Sequence, residues 1–442
     1  MKLVRPTAFA AALLLIAAAT LWPGTSEFTG PLRPDFWCLA CGASGGADVT
    51  ANIALFVPLG VMLGLMSASP FRVMMIGAAI SASIELAQRY GFPPARVANA
   101  TDILTNSLGA LCGALLMHSR RYWLIPDKRH ATMLALGSGA MISGFCLLTA
   151  WALGPLHTAT TALPFRSSAY PFTPGYGWYH GFVTQVVVNA DTFAHKGDGP
   201  VILRGSGGAS RTIGVQLSGR DERAGFVPFV YLHEESLLQP ALLLGQEKHD
   251  ARLSVLLRGS RIRLPGPHIL LPGAFSNSVQ TLALPHTIET VVTPLQWSLA
   301  SVHDGTRRHV DLRVTMGLGW TLFQTVVGNT PWVVALVSAI WMMVLWVPLG
   351  YWCCFGGDAS GPTSVTTEFR IASRNLFVGL GVLALTLGFV PAWAGIAANS
   401  WVEWTCAFAG FGSGVFFASR VWRNHRRLYA GLPGHRHLSE TQ

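Results

Sequence analysis

Long apolar runs dominate this chain and limit what it can fold into. A helix needs about 20 mostly apolar residues to cross a bilayer. Runs of that kind lie at 7–23, 50–68, 72–90, 102–118, 131–153, 329–351, 375–397 and 401–420. Only 12% of the residues are charged, against about 25% in a typical soluble domain. The chain therefore reads as a polytopic α-helical membrane protein with about eight spans. An alternative for the first run is a cleaved signal peptide, because Lys2 and Arg5 precede an Ala/Leu stretch.

The net charge of +10 raises the question of nucleic acid, and the placement of the basic residues answers it. Lys2 and Arg5 precede the first run. Arg120, Arg121, Lys128 and Arg129 separate the fourth and fifth. Arg370 and Arg374 precede the seventh, and Arg420, Arg423, Arg426 and Arg427 follow the eighth. Eight crossings put all these groups on one side, the cytoplasmic one by the positive-inside rule. Both termini are then cytoplasmic, in an inner (plasma) membrane. The basic tail is a topology signal in contact with anionic lipid. The expected partner is the lipid bilayer, and no nucleic acid. Trp22, Trp151, Trp332, Trp352 and Trp401 lie at run ends, as an interfacial belt requires.

Residues 154–328 break the apolar pattern and fall outside by the same count. Their periodicity is two. In RHVDLRVTM, Val310, Leu312, Val314 and Met316 alternate with polar residues, as do Ile213, Val215 and Leu217 in RTIGVQLSG. Such runs, separated by GSGG, HDG and PGP, predict an extracytoplasmic antiparallel β-sandwich. The expected organisation is five spans over 1–153, an inserted all-β sandwich over 154–328, and three spans with a basic tail over 329–442. LFVPLG at 55–60 and LWVPLG at 345–350 form one short echo. Its flanks do not follow, so chance is the reading.

Cys112, Cys146 and Cys406 lie in apolar runs and read as packing residues, and Cys353 and Cys354 as a loop pair. Cys38 and Cys41, in WCLACG, fall outside the membrane, where a disulfide is expected. A redox role is the other reading for that CxxC pair. No histidine has metal-ligand spacing, and neither metal nor cofactor is expected.

The polar residues at the run edges carry the functional reading. Asp48 and Asn52 are spaced i,i+4. Ser81, Glu85 and Gln88 form one helical stripe, and Asp102, Asn106, Gly109 and Gly113 another. All three sets fall near the outer surface. Ionisable residues in spans face a bundle interior or a watery cavity and have partners. Arg96 is the expected partner of Glu85 and Asp102, with Arg89 as the alternative. Pro58 and Gly60 suggest a kink, and Gly109 with Gly113 allows close helix contact.

NIALFVPLG, ELAQ and ARVANATDILTNSLGALCG together resemble the VanZ-like membrane family. The matching positions are Asn52, Phe56, Pro58, Gly60, Glu85, Gln88, Arg96, Asp102, Asn106 and Gly109, and the resemblance spans roughly residues 35–118. It implies the bacterial envelope and, for some members, low-level teicoplanin resistance. It implies no reaction. The middle region resembles laminin-G or concanavalin-like sandwiches, many of which bind glycans.

Three readings of the polar cluster follow. It is a structural network holding three helices together. Or Asn52, Glu85, Gln88, Arg96, Asp102 and Asn106 bind a cell-wall, exopolysaccharide or glycopeptide ligand. Or Glu85 and Asp102 are the acid/base pair of an enzyme acting on a lipid-linked glycan or phospholipid. The non-enzymatic reading is preferred, because no nucleophile or metal set accompanies the carboxylates.

Overall fold

The computed structural model describes residues 4–22, 36–37, 44–94, 96–156, 165–167, 179–189, 191–198, 201–204, 210–218, 225–233, 240–275, 286–303, 305–323, 331–355 and 365–430. Cys38 and Cys41 lie outside the described residues, so the expected disulfide does too.

The helices are α1 (Val4–Leu21), α2 (Gly45–Leu65), α3 (Pro70–Arg89), α4 (Ala100–His118), the short α5 (Arg120–Trp123), α6 (Lys128–Leu153), α7 (Pro331–Cys353), α8 (Val365–Ala394) and α9 (Trp401–Ala430). Among the described residues, six segments are long and apolar enough to cross a membrane: α2, α3, α4, α6, α7 and Asn375–Ala394 of α8. The apolar part of α1, Thr7–Leu21, is shorter. α9 is diluted by Glu403 near its start and basic residues near its end. Each expected run thus falls on a helix. α2 begins earlier than its apolar run because the Ser44 carbonyl accepts the amides of Ala47 and Asp48. Cys353 is the buried last residue of α7 rather than part of a loop.

Between α6 and α7 lie two six-stranded sheets. One runs β1 (Phe165–Ser167), β4 (Val201–Arg204), β6 (Phe226–His233), β7 (Leu242–Glu247), β8 (Asp250–Val255), β9 (His268–Leu271). The other runs β12 (Thr306–Arg313), β11 (Gln296–His303), β10 (His286–Val292), β5 (Arg211–Ser218), β2 (Phe182–Val188), β3 (Asp191–Asp198). The expectation of an antiparallel region holds except at one pairing, since β4 runs parallel to β6. Alternation does what the sequence predicts: Ile213, Val215 and Leu217 are fully buried, and the intervening positions are not. Their inward faces share one core with Phe229, Leu244 and Leu253 of the facing sheet. A chain of rings bridges the sheets, Phe229 to Phe275 at 6.3 Å and Phe275 to His286 at 5.0 Å between centroids.

The sandwich is fastened to helix ends. The Arg258 amide donates to the Gly154 carbonyl (3.0 Å) beyond α6, and the Gly46 amide of α2 to the Arg263 carbonyl (3.0 Å). The Ala397 amide before α9 donates to the Val314 carbonyl (2.8 Å). A buried 3-10 turn, Met316–Leu322, packs below the sandwich in the same core as α7, α8 and α9.

The short echo is not chance. On α4, an added Cβ at Gly109 would strike the Ile53 backbone of α2, and one at Gly113 that of Val57, Gly60 and Val61. On α9, Gly410 and Gly414 meet α7 in the same way, at Met343 and at Val347, Gly350 and Tyr351. Gly60 faces the Ala110 carbonyl, and Gly350 faces that of Phe411. The third helices correspond in position but not in distance: Gly77 of α3 meets the Ala110 Cβ, whereas Gly379 of α8 meets Cys353 and the ring of Phe411, which holds α8 further from α9. The buried stripe Gly77, Ser81, Glu85, Gln88 of α3 has its counterpart in Gly379, Leu383, Leu387 and Val390, also buried. So the pairs α2/α4 and α7/α9 are two copies of one packing arrangement, with α3 and α8 on corresponding sides. Small residues allow the close backbone approach that substitutes for a hydrophobic driving force in lipid.

Candidate functional site

The first copy carries the polar cluster at one end. Asp48 and Asn52 lie on the first two turns of α2, Glu85 and Gln88 on the last turn of α3, and Asp102 and Asn106 on the first two turns of α4. Helix ends concentrate unpaired backbone groups, and several of these side chains satisfy them. Glu85, 4% exposed, accepts the backbone N–H of Asn99 (2.7 Å), the N-cap of α4. Asn99 in turn caps Thr101 (3.0 Å). Gln88 donates to the Thr20 carbonyl (3.3 Å) at the end of α1.

Arg96 does not do what its position suggested. No ion pair joins it to Glu85 or Asp102 among the described residues. It donates instead to the carbonyls of Ala19 (2.9 Å) and Trp22 (3.2 Å). These are orphan carbonyls at the end of α1, where a cation is favoured. Arg89 is exposed.

The other members are less committed. Asn52 lies beside the Asp102 carboxylate, and Ser44 donates to Asp48 (3.2 Å). One turn below Asp102, Asn106 is 2% exposed and donates to Ser81 (2.9 Å), yet its carbonyl Oδ1 is buried with no partner. A buried unpaired acceptor costs about 1–3 kcal/mol. The mouth of this copy thus carries acceptors, exposed Asp48 and half-buried Asp102, with the buried Asn106 carbonyl one turn below. Among the described residues no three His, Cys, Asp or Glu are placed to hold a metal ion.

The second copy shows the same positions put to another use. Glu403 stands where Asp102 stands, seven residues before the first glycine in each helix. Its carboxylate takes the Ser400 N–H (2.6 Å), and Ser400 Oγ accepts the Glu403 N–H (3.3 Å). This is a capping box. It replaces the cap that Glu85 supplies in the first copy, since Glu85 is matched by Leu387. Glu403 also accepts the Thr315 hydroxyl. Ser338, matching Asp48, accepts the Trp320 indole N–H (3.0 Å). The segment below the sandwich therefore fills this mouth. Sequence reasoning missed Glu403, Ser400 and Thr315. The signal was there: Asp102, Gly109, Gly113 and Glu403, Gly410, Gly414 share one spacing.

Residues 9–123 match the family model VanZ/LLP1. No curated protein matches the chain, and no solved structure does.

Proposed function

We propose that this multi-pass membrane protein, VanZ-like over residues 9–123, is a non-enzymatic protein of the bacterial envelope. Its first helical copy would bind a hydroxyl- or amine-bearing ligand at the mouth formed by α2, α3 and α4. The observation that carries this reading is a division of labour. Glu85, Gln88 and Arg96 are spent on helix ends, whereas Asp102, Asp48 and the unpaired Asn106 carbonyl remain as acceptors. Acceptors suit hydroxyl and ammonium donors, as in cell-wall glycans, exopolysaccharides and glycopeptide antibiotics. The acid/base reading loses support, because Glu85 caps α4. The distribution of basic segments supports an extracytoplasmic mouth and sandwich. In this reading the sandwich, of laminin-G or concanavalin type, adds a second glycan-facing surface. The helical units divide as α1–α4 and α6–α9, with the sandwich inserted after the first helix of the second.

Binding of teicoplanin and of an undecaprenyl-linked glycan to protein in mild detergent tests this. A hydrogen bond to a charged group contributes about 1.5–3 kcal/mol, so Asp102→Asn and Asn52→Ala should weaken binding about 10- to 100-fold. Glu85→Ala should instead lower stability by about 1–3 kcal/mol through the orphaned Asn99 N–H. If Asp102→Asn and Asn52→Ala bind both probes as the parent does, or neither probe binds the parent, the site reading is wrong.

A further inference from the structure

The two copies differ at a second place, deep among the helices. In the first, α1 packs into the angle between α2 and α3. Phe9, Leu13 and Ile16 lie against Leu59, Leu63, Val73 and Ile80. The glycine contacts map those four positions onto Leu349, Cys353, Asn375 and Val382 of the second copy. There the neighbouring helix is α6, and it presents Ala135, Gly139, Ala140 and Ser143. These side chains are too small to fill the angle. A cavity of about 250 Å³ remains, lined by those α6 residues and by the four mapped positions. It is half open between Leu136, 61% exposed, and Val378, 51% exposed.

We propose that this groove holds one acyl chain of an anionic phospholipid, in place of the side chains that α1 supplies in the first copy. The walls are almost wholly apolar, and interiors pack without voids larger than water. An open side facing lipid supplies the chain. The charge comes from one end. Thr132 lines the groove there, and its hydroxyl donates to the Lys128 carbonyl (3.0 Å) one turn away. Arg129 adjoins Lys128. Asn375 lines the groove on α8, and Arg370 and Arg374 precede it in the sequence. Lys128 and Arg129 thus stand at the end at which a headgroup would emerge, with two more arginines just before Asn375 in the sequence, and basic clusters beside a span recruit anionic headgroups. Asn375, where the first copy has Val73, adds a donor among them.

Native mass spectrometry of the full chain, purified in mild detergent, tests the assignment. The parent protein should retain one phosphatidylglycerol-type lipid. Gly139→Leu and Ala140→Leu, which fill the groove, should each cut that adduct at least tenfold. Gly144→Leu, which meets open space, should keep it. Delipidated parent should regain thermal stability with phosphatidylglycerol but not with phosphatidylcholine. The proposal is overturned if the parent retains no phospholipid, if the retained species is an isoprenoid or only detergent, or if both filling variants keep the adduct. Should those variants fail to insert, parent protein in mixed nanodiscs still decides. Equal retention of the anionic and zwitterionic lipids overturns it.

Discussion

Replacing Gly113 by alanine tests the contact on which the first helical copy depends. The new methyl would lie 2.7 Å from the Val61 amide nitrogen and 2.9 Å from the Gly60 Cα. Both are backbone atoms, so no rotamer change relieves the clash. The Val57 carbonyl oxygen is nearer still, and restoring a normal separation of about 3.5 Å requires α2 and α4 to part by about 1 Å. A gap of that size forfeits a quarter to a half of each dispersion contact, and each contact is worth about 0.1–0.2 kcal/mol. Over a few dozen atom pairs the loss is about 2–3 kcal/mol, within the range measured for overpacked cores. Gly414→Ala should cost about the same, because its methyl meets the Tyr351 nitrogen at 2.6 Å and the Gly350 carbonyl carbon at 3.0 Å. Gly137→Ala on α6 is the control. It meets nothing within 4 Å and should be neutral, or stabilising by up to about 1 kcal/mol. The assay is reversible unfolding in mixed micelles, followed by far-ultraviolet circular dichroism. If Gly113→Ala and Gly414→Ala unfold no earlier than Gly137→Ala, the shared packing is wrong. If only one of them does, the two helix triplets are not equivalent.

Two further outcomes are expected. Glu403→Ala orphans the Ser400 N–H and the Thr315 hydroxyl, and should destabilise the second copy by about 2–6 kcal/mol, at about 1–3 kcal/mol per group. Limited proteolysis near residue 315 should accelerate, and unchanged cleavage would refute the latch. In the sandwich, burial and then the neighbouring His303 push the His286 imidazole down to about 4. Unfolded histidine titrates near 6.5, so the unfolded state binds more protons between those values, and stability falls as pH drops. The stability is fully present above about pH 6.5, and about 3 kcal/mol of it is lost on reaching pH 4. A His286→Gln variant should flatten that profile. A parent whose sandwich unfolds identically at pH 7 and 4.5 would refute it.

The helices and the sandwich were legible because each rests on a single periodicity. A run of 20 apolar residues has few alternatives, and Ile213, Val215 and Leu217 declare a strand by alternation alone. The polar cluster was legible as a neighbourhood but not in its roles. Glu85, Arg96 and Asp102 are all charged residues near one helix end, and sequence distance does not tell which one meets a backbone N–H. Arg96 was misread because charge pairing seemed the stronger claim. In the fold the carbonyls at the end of α1 are nearer. The duplication stayed hidden because it is written in glycines facing backbone. Only Gly60, Gly109 and Gly113 and their counterparts need to persist. Leu383, Leu387 and Val390 stand where Ser81, Glu85 and Gln88 do, with the glycine contacts kept.

The sandwich leaves from the end of α6 and returns at the start of α7, and both ends lie on the face where α2 and α9 also begin. An insertion that exits and re-enters on one face turns no helix over. Its length and shape are therefore free of the bilayer that constrains everything else in the chain. Such a module is exchangeable: a different domain grafted between Gly154 and Pro331 needs a segment that supplies a hydroxyl to Glu403, an indole to Ser338 and backbone partners for Gly46, Gly154 and Ala397.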